Sequence, residues 1–103
     1  MDFKKLAENL GLEEEEYAEL IELFIESGMS DLEKLKNAIE AGDAEEVANV
    51  AHSLKGAAGN LGLSDFYETA KKIELDTRNG NLKKIAGSVE ALRKNIEEIS
   101  ALI

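Results

Sequence analysis

Apolar residues recur along this chain at spacings of three and four, and no stretch alternates with period two. That periodicity predicts helices throughout. A short helix is expected from Asp2 to Leu10: Asp2 is a candidate N-cap, Phe3, Leu6 and Leu10 share a face, and Gly11 can end it. A long helix follows from about Glu13 to Ala41. Its stripe of Tyr17, Ile21, Phe24, Gly28, Leu32, Leu35 and Ile39 stays continuous through Gly28, where a bend is allowed for, and Gly42 stops it. Asp43, with Glu46 three residues on, forms a capping-box pattern at the start of a third helix, which runs to Leu61 before Gly62. Ser64 is the candidate N-cap of a fourth, with the stripe Phe66, Ala70, Ile73 and Thr77, ending at Asn79-Gly80. The fifth is expected to begin at Asn81 and carries a narrow seam of Leu82, Ile85, Val89, Leu92, Ile96, Ile99 and Ile103. Four long helices with short connections predict an all-α fold, an antiparallel four-helix bundle with a short additional N-terminal helix.

Composition narrows the function. The chain has 103 residues, of which 44% are hydrophobic, enough for one core, so a single domain over residues 1–103 is expected. It carries 12 Lys+Arg against 22 Asp+Glu, a formal charge of −10, which argues against nucleic acid and anionic membrane surfaces. There is no Cys, hence no disulfide, no Cys-ligated zinc and no thiol nucleophile. One His excludes a multi-His metal site within one chain. The acidic run Glu13-Glu14-Glu15-Glu16 reads as carboxylates facing the positive end of a helix dipole rather than as a metal patch. With neither a signal peptide nor an apolar run of the ~18–20 residues a membrane span needs, a soluble cytoplasmic domain is expected, and a monomer, because the one narrow seam of the fifth helix is needed for the intramolecular core.

The single His is informative because of where its helix puts it. At about 100° per residue, Val47, Val50, Ala51, Ala58 and Leu61 fall within roughly 60° of Leu54, whereas His52 falls at about 160°. His52 is therefore expected on the solvent side. On that face the spacing places Ala48 at i−4, Lys55 at i+3, Gly56 at i+4 and Gly59 at i+7. Each glycine inside a helix costs about 1 kcal/mol relative to Ala. A missing side chain lets another backbone or a bulky group approach. Lys55 places a mobile cation one turn from the ring, suited to an anion such as a phosphoryl group. Neutral imidazole is a nucleophile through its free lone pair. The chain shows no Walker-type loop, no kinase signature and no Ser/His/Asp order. An exposed His without catalytic apparatus points to a group acceptor and donor whose partner supplies the catalysis.

The segment Ala51-His52-Ser53-Leu54-Lys55-Gly56-Ala57-Ala58-Gly59-Asn60-Leu61-Gly62 resembles the signature of histidine-containing phosphotransfer (HPt) domains. The likeness extends upstream through Leu35, Ala38 and Ala41-Gly42-Asp43, and downstream through Ala70, Ile73-Glu74 and Arg78-Asn79-Gly80. The resemblance implies a four-helix bundle that shuttles a phosphoryl group between aspartates of response-regulator receiver domains, or takes it from a histidine kinase. It implies that His52 is the phosphorylated residue, that Lys55 contacts the phosphoryl group and that Gly56 clears room for the receiver. Glu74 stands where several members place a Gln that orients the imidazole. A carboxylate only accepts, so Glu74 is expected to accept from the ring nitrogen that is not phosphorylated. Arg78 is expected to add positive potential, together with Lys71 and Lys72. Ala48 and Gly59 are expected in the partner interface, and Leu10 and Leu12 in an apolar docking patch beside His52, with core packing as their other use.

The expected role is thus a phosphorelay carrier in two-component signalling, not an enzyme. It would have no cofactor of its own, the Mg²⁺ residing on the partner receiver. The alternatives are the phospho-acceptor domain of a larger hybrid or chemotaxis-type kinase, a non-phosphorylated adaptor bundle, and a generic structural bundle.

Overall fold

The computed structural model describes residues 2–103, and among them no strand occurs. The helices are α1 (Phe3–Asn9), α2 (Glu14–Glu40), α3 (Ala44–Asn60), α4 (Ser64–Arg78) and α5 (Ala86–Ser100), with a 3₁₀ turn over Leu82–Lys84. Helix starts follow the side chains available to bind free amides. Asp2 accepts from the Lys5 N–H at 3.2 Å, and Asp43 from the Glu46 N–H at 3.1 Å. At the head of α2 the Glu16 carboxylate accepts from the Glu13 N–H at 3.1 Å, satisfying one of the donors a helix start leaves open. The chain reverses after α2 and α3 through Gly42 and Gly62, whose φ of +69° and +73° lie where a side chain is strained. At both ends an amide reaches back five residues, Asp43 to Ala38 and Leu63 to Ala58, the hydrogen bond that closes a glycine-terminated helix.

Helices α2, α3, α4 and α5 form a closed ring, each packing on the next and α5 returning to α2, while α1 lies against α2. The body measures 41 × 20 × 18 Å. One core runs its length, and Tyr17, Ile21, Leu35, Val47, Leu54, Phe66, Ile73, Ile85, Leu92 and Ile96 are fully buried in it. Aromatic contacts fix the level of the helices. Phe24 of α2 meets Phe66 of α4 edge-on at 5.1 Å, and Phe3 of α1 meets Tyr17 at 5.8 Å. The Tyr17 hydroxyl donates to the Leu61 carbonyl at 2.5 Å, tying α2 to the end of α3, and burial pushes the pKa of that phenol above its ordinary value.

Three expectations about element boundaries and seams are corrected. Ser64 is the first helical residue of α4 rather than its cap. The cap position belongs to Leu63, which the core draws in to 6% exposure, and no side chain caps that start. The last helix does not run unbroken from Asn81. A 3₁₀ turn spends residues 82–84, and α5 begins at Ala86. Residues three apart eclipse in a 3₁₀ turn, which puts half-buried Leu82 on the same side as fully buried Ile85. Ile103 lies beyond the helix and is half exposed, so the seam ends at Ile99. Helix α2 runs unbroken through Gly28, which is buried. A side chain there would begin 2.5 Å from the Ile96 Cδ1 atom, so this glycine serves the close approach of α2 and α5.

Candidate functional site

Helix α3 presents His52 to solvent, with 64% of the side chain exposed. The buried residues Val47, Val50, Ala51, Leu54 and Ala58 hold the opposite face in the core. Gly56, one turn on, has nothing within 4 Å of the place where a Cβ would sit. The face around the ring is therefore open and low.

On its other flank α3 is covered by α4, and this relocates one expected interface residue. Ala48 is 2% exposed and belongs to the interior. It lies about 120° from Leu54 on the wheel, on the side of the buried arc that α4 widens. Gly59 stays exposed, but α4 borders it: a Cβ there would stand 3.3 Å from the Tyr67 ring. Tyr67 was not expected at the site. Gly59 lies seven residues after His52 on α3, and Tyr67 seven before Glu74 on α4, as two antiparallel helices require of matched pairs. That shared step was the signal for Tyr67.

Glu74 of α4 is the centre of the arrangement, buried to 7% exposure. Its Oε2 lies 3.0 Å from the His52 Nδ1. A carboxylate has no proton to give, so in the neutral ring the proton sits on Nδ1 and the lone pair on Nε2. The Lys55 Nζ donates to Oε1 at 2.7 Å. Arg78, four residues along α4, donates to Oε2 from Nε at 3.2 Å and from Nη2 at 3.0 Å. Two cations thus face one carboxylate beside the imidazole, so the local field is not that of the acidic whole. Lys71 and Lys72 are exposed on the same helix.

Leu10 caps the end of α1 in solvent, and Leu12 is half-buried against the core. Helix α1 reaches Gly62, where the Leu6 Cδ2 stands 3.4 Å from a would-be Cβ. That is ten residues past His52, on the order of 15 Å along a helix. The ring is not at the bottom of a groove. The hollows lined by Leu6, Phe66 and Leu102 and by Met29, Leu32 and Val89 lie elsewhere. Small molecules bind in concavities, whereas an exposed ring on a flat face suits a macromolecular partner.

Burial pulls the Glu74 carboxyl up, but the hydrogen bonds from Lys55 and Arg78, with the charges of Lys55 and His52, outweigh it and hold the group down at about 2 against its ordinary 4.5. A lowered carboxyl contributes stability that is complete above pH 4.5 and is lost as the pH falls through 2. Urea unfolding at stepped pH is expected to show wild type losing about 1–3 kcal/mol more than Glu74→Gln across that window. Parallel pH profiles for the two proteins would contradict the assignment.

A family model described as the Hpt domain matches residues 19–102. The chain belongs to the Hpt domain family. The match takes in all the site residues on α3 and α4, and the Hpt helical bundle is the fold seen here. This Hpt chain is also 29% identical over 85 residues to the phosphorelay intermediate protein rdeA of Dictyostelium discoideum. The aligned region covers 82% of the chain and 34% of that relative, so the chain spans about a third of its length. No solved structure matches the Hpt chain significantly.

Proposed function

We propose that this Hpt domain is a phosphorelay phosphocarrier in two-component signalling, which receives a phosphoryl group on Nε2 of His52 and passes it to or from the aspartate of a receiver domain. The observation that carries the reading is the half-committed ring: Nδ1 is engaged by Glu74 at 3.0 Å, while the side chain is 64% exposed. The Nε2 lone pair attacks the phosphorus of the receiver's aspartyl phosphate, the N–P bond forms, and the P–O bond to the aspartate breaks with its electron pair leaving on the carboxylate. The proton stays on Nδ1, so the ring becomes cationic as the bond forms. The Glu74 carboxylate beside it stabilises that charge, an electrostatic contribution aimed at the transition state. Phosphoryl transfer depends chiefly on positioning and charge neutralisation.

Lys55 is assigned to the transferred group and Gly56 to the clearance the receiver needs. The receiver supplies the aspartate and its Mg²⁺, and this chain supplies neither a cofactor nor a kinase site of its own. A histidine kinase is the alternative donor. Action as a monomer fits the spending of Ile85, Leu92, Ile96 and Ile99 on the intramolecular core. No helix among the described residues is long and apolar enough to cross a membrane. The proposal places the chain with its receiver in the cytoplasm.

The test is transfer from receiver domains carrying labelled aspartyl phosphate, profiled across those of the source organism. A cognate receiver is expected to hand its label to the chain, and nitrogen NMR to place it on Nε2. A chain that binds a receiver yet takes no label from any of them is an adaptor, and the proposal is then wrong.

A further inference from the structure

The oxygens of Glu74 divide its partners. Lys55 alone holds Oε1, whereas Oε2 carries both the His52 ring and the two Arg78 donors. Lys55 can therefore leave without disturbing the contact that orients the imidazole. It has reason to leave once Nε2 is phosphorylated, because that group adds a charge of about −1.5 to −2 to the exposed side of the ring. Lys55 sits three residues from His52 on the same helix, within side-chain reach, on a flexible stem ending in a compact charge.

Its departure would expose a cost. Glu74 is 7% exposed, and a buried carboxylate without a counter-charge takes up a proton. Protonated, it no longer stabilises the cationic ring. Arg78 prevents this. It reaches Glu74 from its own helix, four residues away, through two donors on Oε2, the oxygen that Lys55 does not hold, and its side chain is 53% exposed. The groups facing Glu74 are His52 and Lys55 from α3 and Arg78 from α4.

We propose that Arg78 is a positioning residue for phosphotransfer: it is the stationary counter-ion that keeps Glu74 charged on Oε2 while Lys55 changes partner from Glu74 Oε1 to the phosphoryl group on His52. The proposal rests on the phosphocarrier reading and assigns separate tasks to two cations that look equivalent in the resting state. No bond is made or broken in the exchange beyond the N–P bond itself.

The experiment uses the full chain and phosphoramidate as donor, which needs no cognate receiver: its P–N bond breaks, ammonia leaves and the N–P bond to Nε2 forms. Wild type, Arg78→Gln and Arg78→Lys are compared. The Glu74 carboxyl is titrated by carbon NMR and the His52 tautomer followed by nitrogen NMR, before and after phosphorylation. In the resting chain Lys55 still serves Glu74, so Arg78→Gln should raise the carboxyl midpoint only modestly. After phosphorylation the same substitution should raise it by at least about one further pH unit, and phosphorylation should slow about tenfold. Arg78→Lys should restore both, which a merely structural role does not predict. An Arg78→Gln shift that is equal before and after phosphorylation shows that Lys55 has not moved, and overturns the exchange; so does no shift at all. If wild type itself takes no phosphoryl group, the phosphocarrier reading fails and the exchange falls with it. A labelled wild type with an indifferent Arg78→Gln leaves that reading intact and removes only this proposal.

Discussion

A His52→Gln chain is expected to take no phosphoryl group from a phosphorylated receiver, while unfolding within about 0.5 kcal/mol of wild type in urea. Loss of function is complete because the chain has one His and no Cys. No second imidazole or thiolate exists to accept the group, and an amide nitrogen has no available lone pair. The fold is indifferent because the side chain is 64% exposed and contributes nothing to the core. Glutamine also keeps a donor for Glu74, whose main counter-charges are Lys55 and Arg78. The two readouts separate the phosphocarrier from a bundle that merely resembles one. Equal labelling of wild type and mutant would mean that the phosphoryl group goes elsewhere.

The exposure of His52 was legible because it lies far from either border of the buried arc. A wheel drawn from Leu54 gives the same answer whether one helix or two pack on α3. Ala48 lies nearer the border, and there the wheel fails. It assumes a single seam, whereas α3 is gripped by α2 on one side and α4 on the other. The second grip buries Ala48 and brings the Tyr67 ring over Gly59. Periodicity along one helix carries no information about the register between two. For the same reason the contact of Glu74 with His52, 22 residues apart, rested on the family resemblance and not on spacing.

The cations show a different limit. Lys55 was placed correctly within a turn of the ring, but a long side chain leaves its resting partner undetermined by the backbone. In the folded chain it lies on Glu74 at 2.7 Å, with 22% of the side chain exposed. The cation that the sequence offers to a phosphoryl group thus already neutralises a buried carboxylate. Helix ends behave similarly: capping by Asp2 and Asp43 followed from local chemistry. The starts of α4 and α5 did not, because there the core's hold on Leu63 and Ile85 decides the backbone.

Gly56→Leu is expected to make the protein more stable and a poorer phosphocarrier at once. A Cβ at Gly56 meets nothing within 4 Å, so the bundle has room for the side chain. Leucine is favoured over glycine inside a helix by about 0.8–1 kcal/mol, a gain that thermal or urea unfolding would register. On the proposed function, the same open space is what the receiver has to enter. Gly56 is one turn from His52 on the exposed face, and reaction requires the phosphorus to come within about 3–3.5 Å of the nitrogen. A branched side chain rising from that turn stands in the path of the receiver's backbone. A misplacement on the order of 1 Å costs about a hundredfold in rate. Transfer from a receiver should therefore fall by about that factor, whereas labelling by phosphoramidate, a donor small enough to pass the side chain, should fall far less. Gly87→Ala is the control, since Gly87 also has nothing within 4 Å but lies on α5. It should raise stability and leave transfer unchanged. Wild-type transfer by Gly56→Leu would show that the receiver does not approach over this face, and that the glycine serves no clearance.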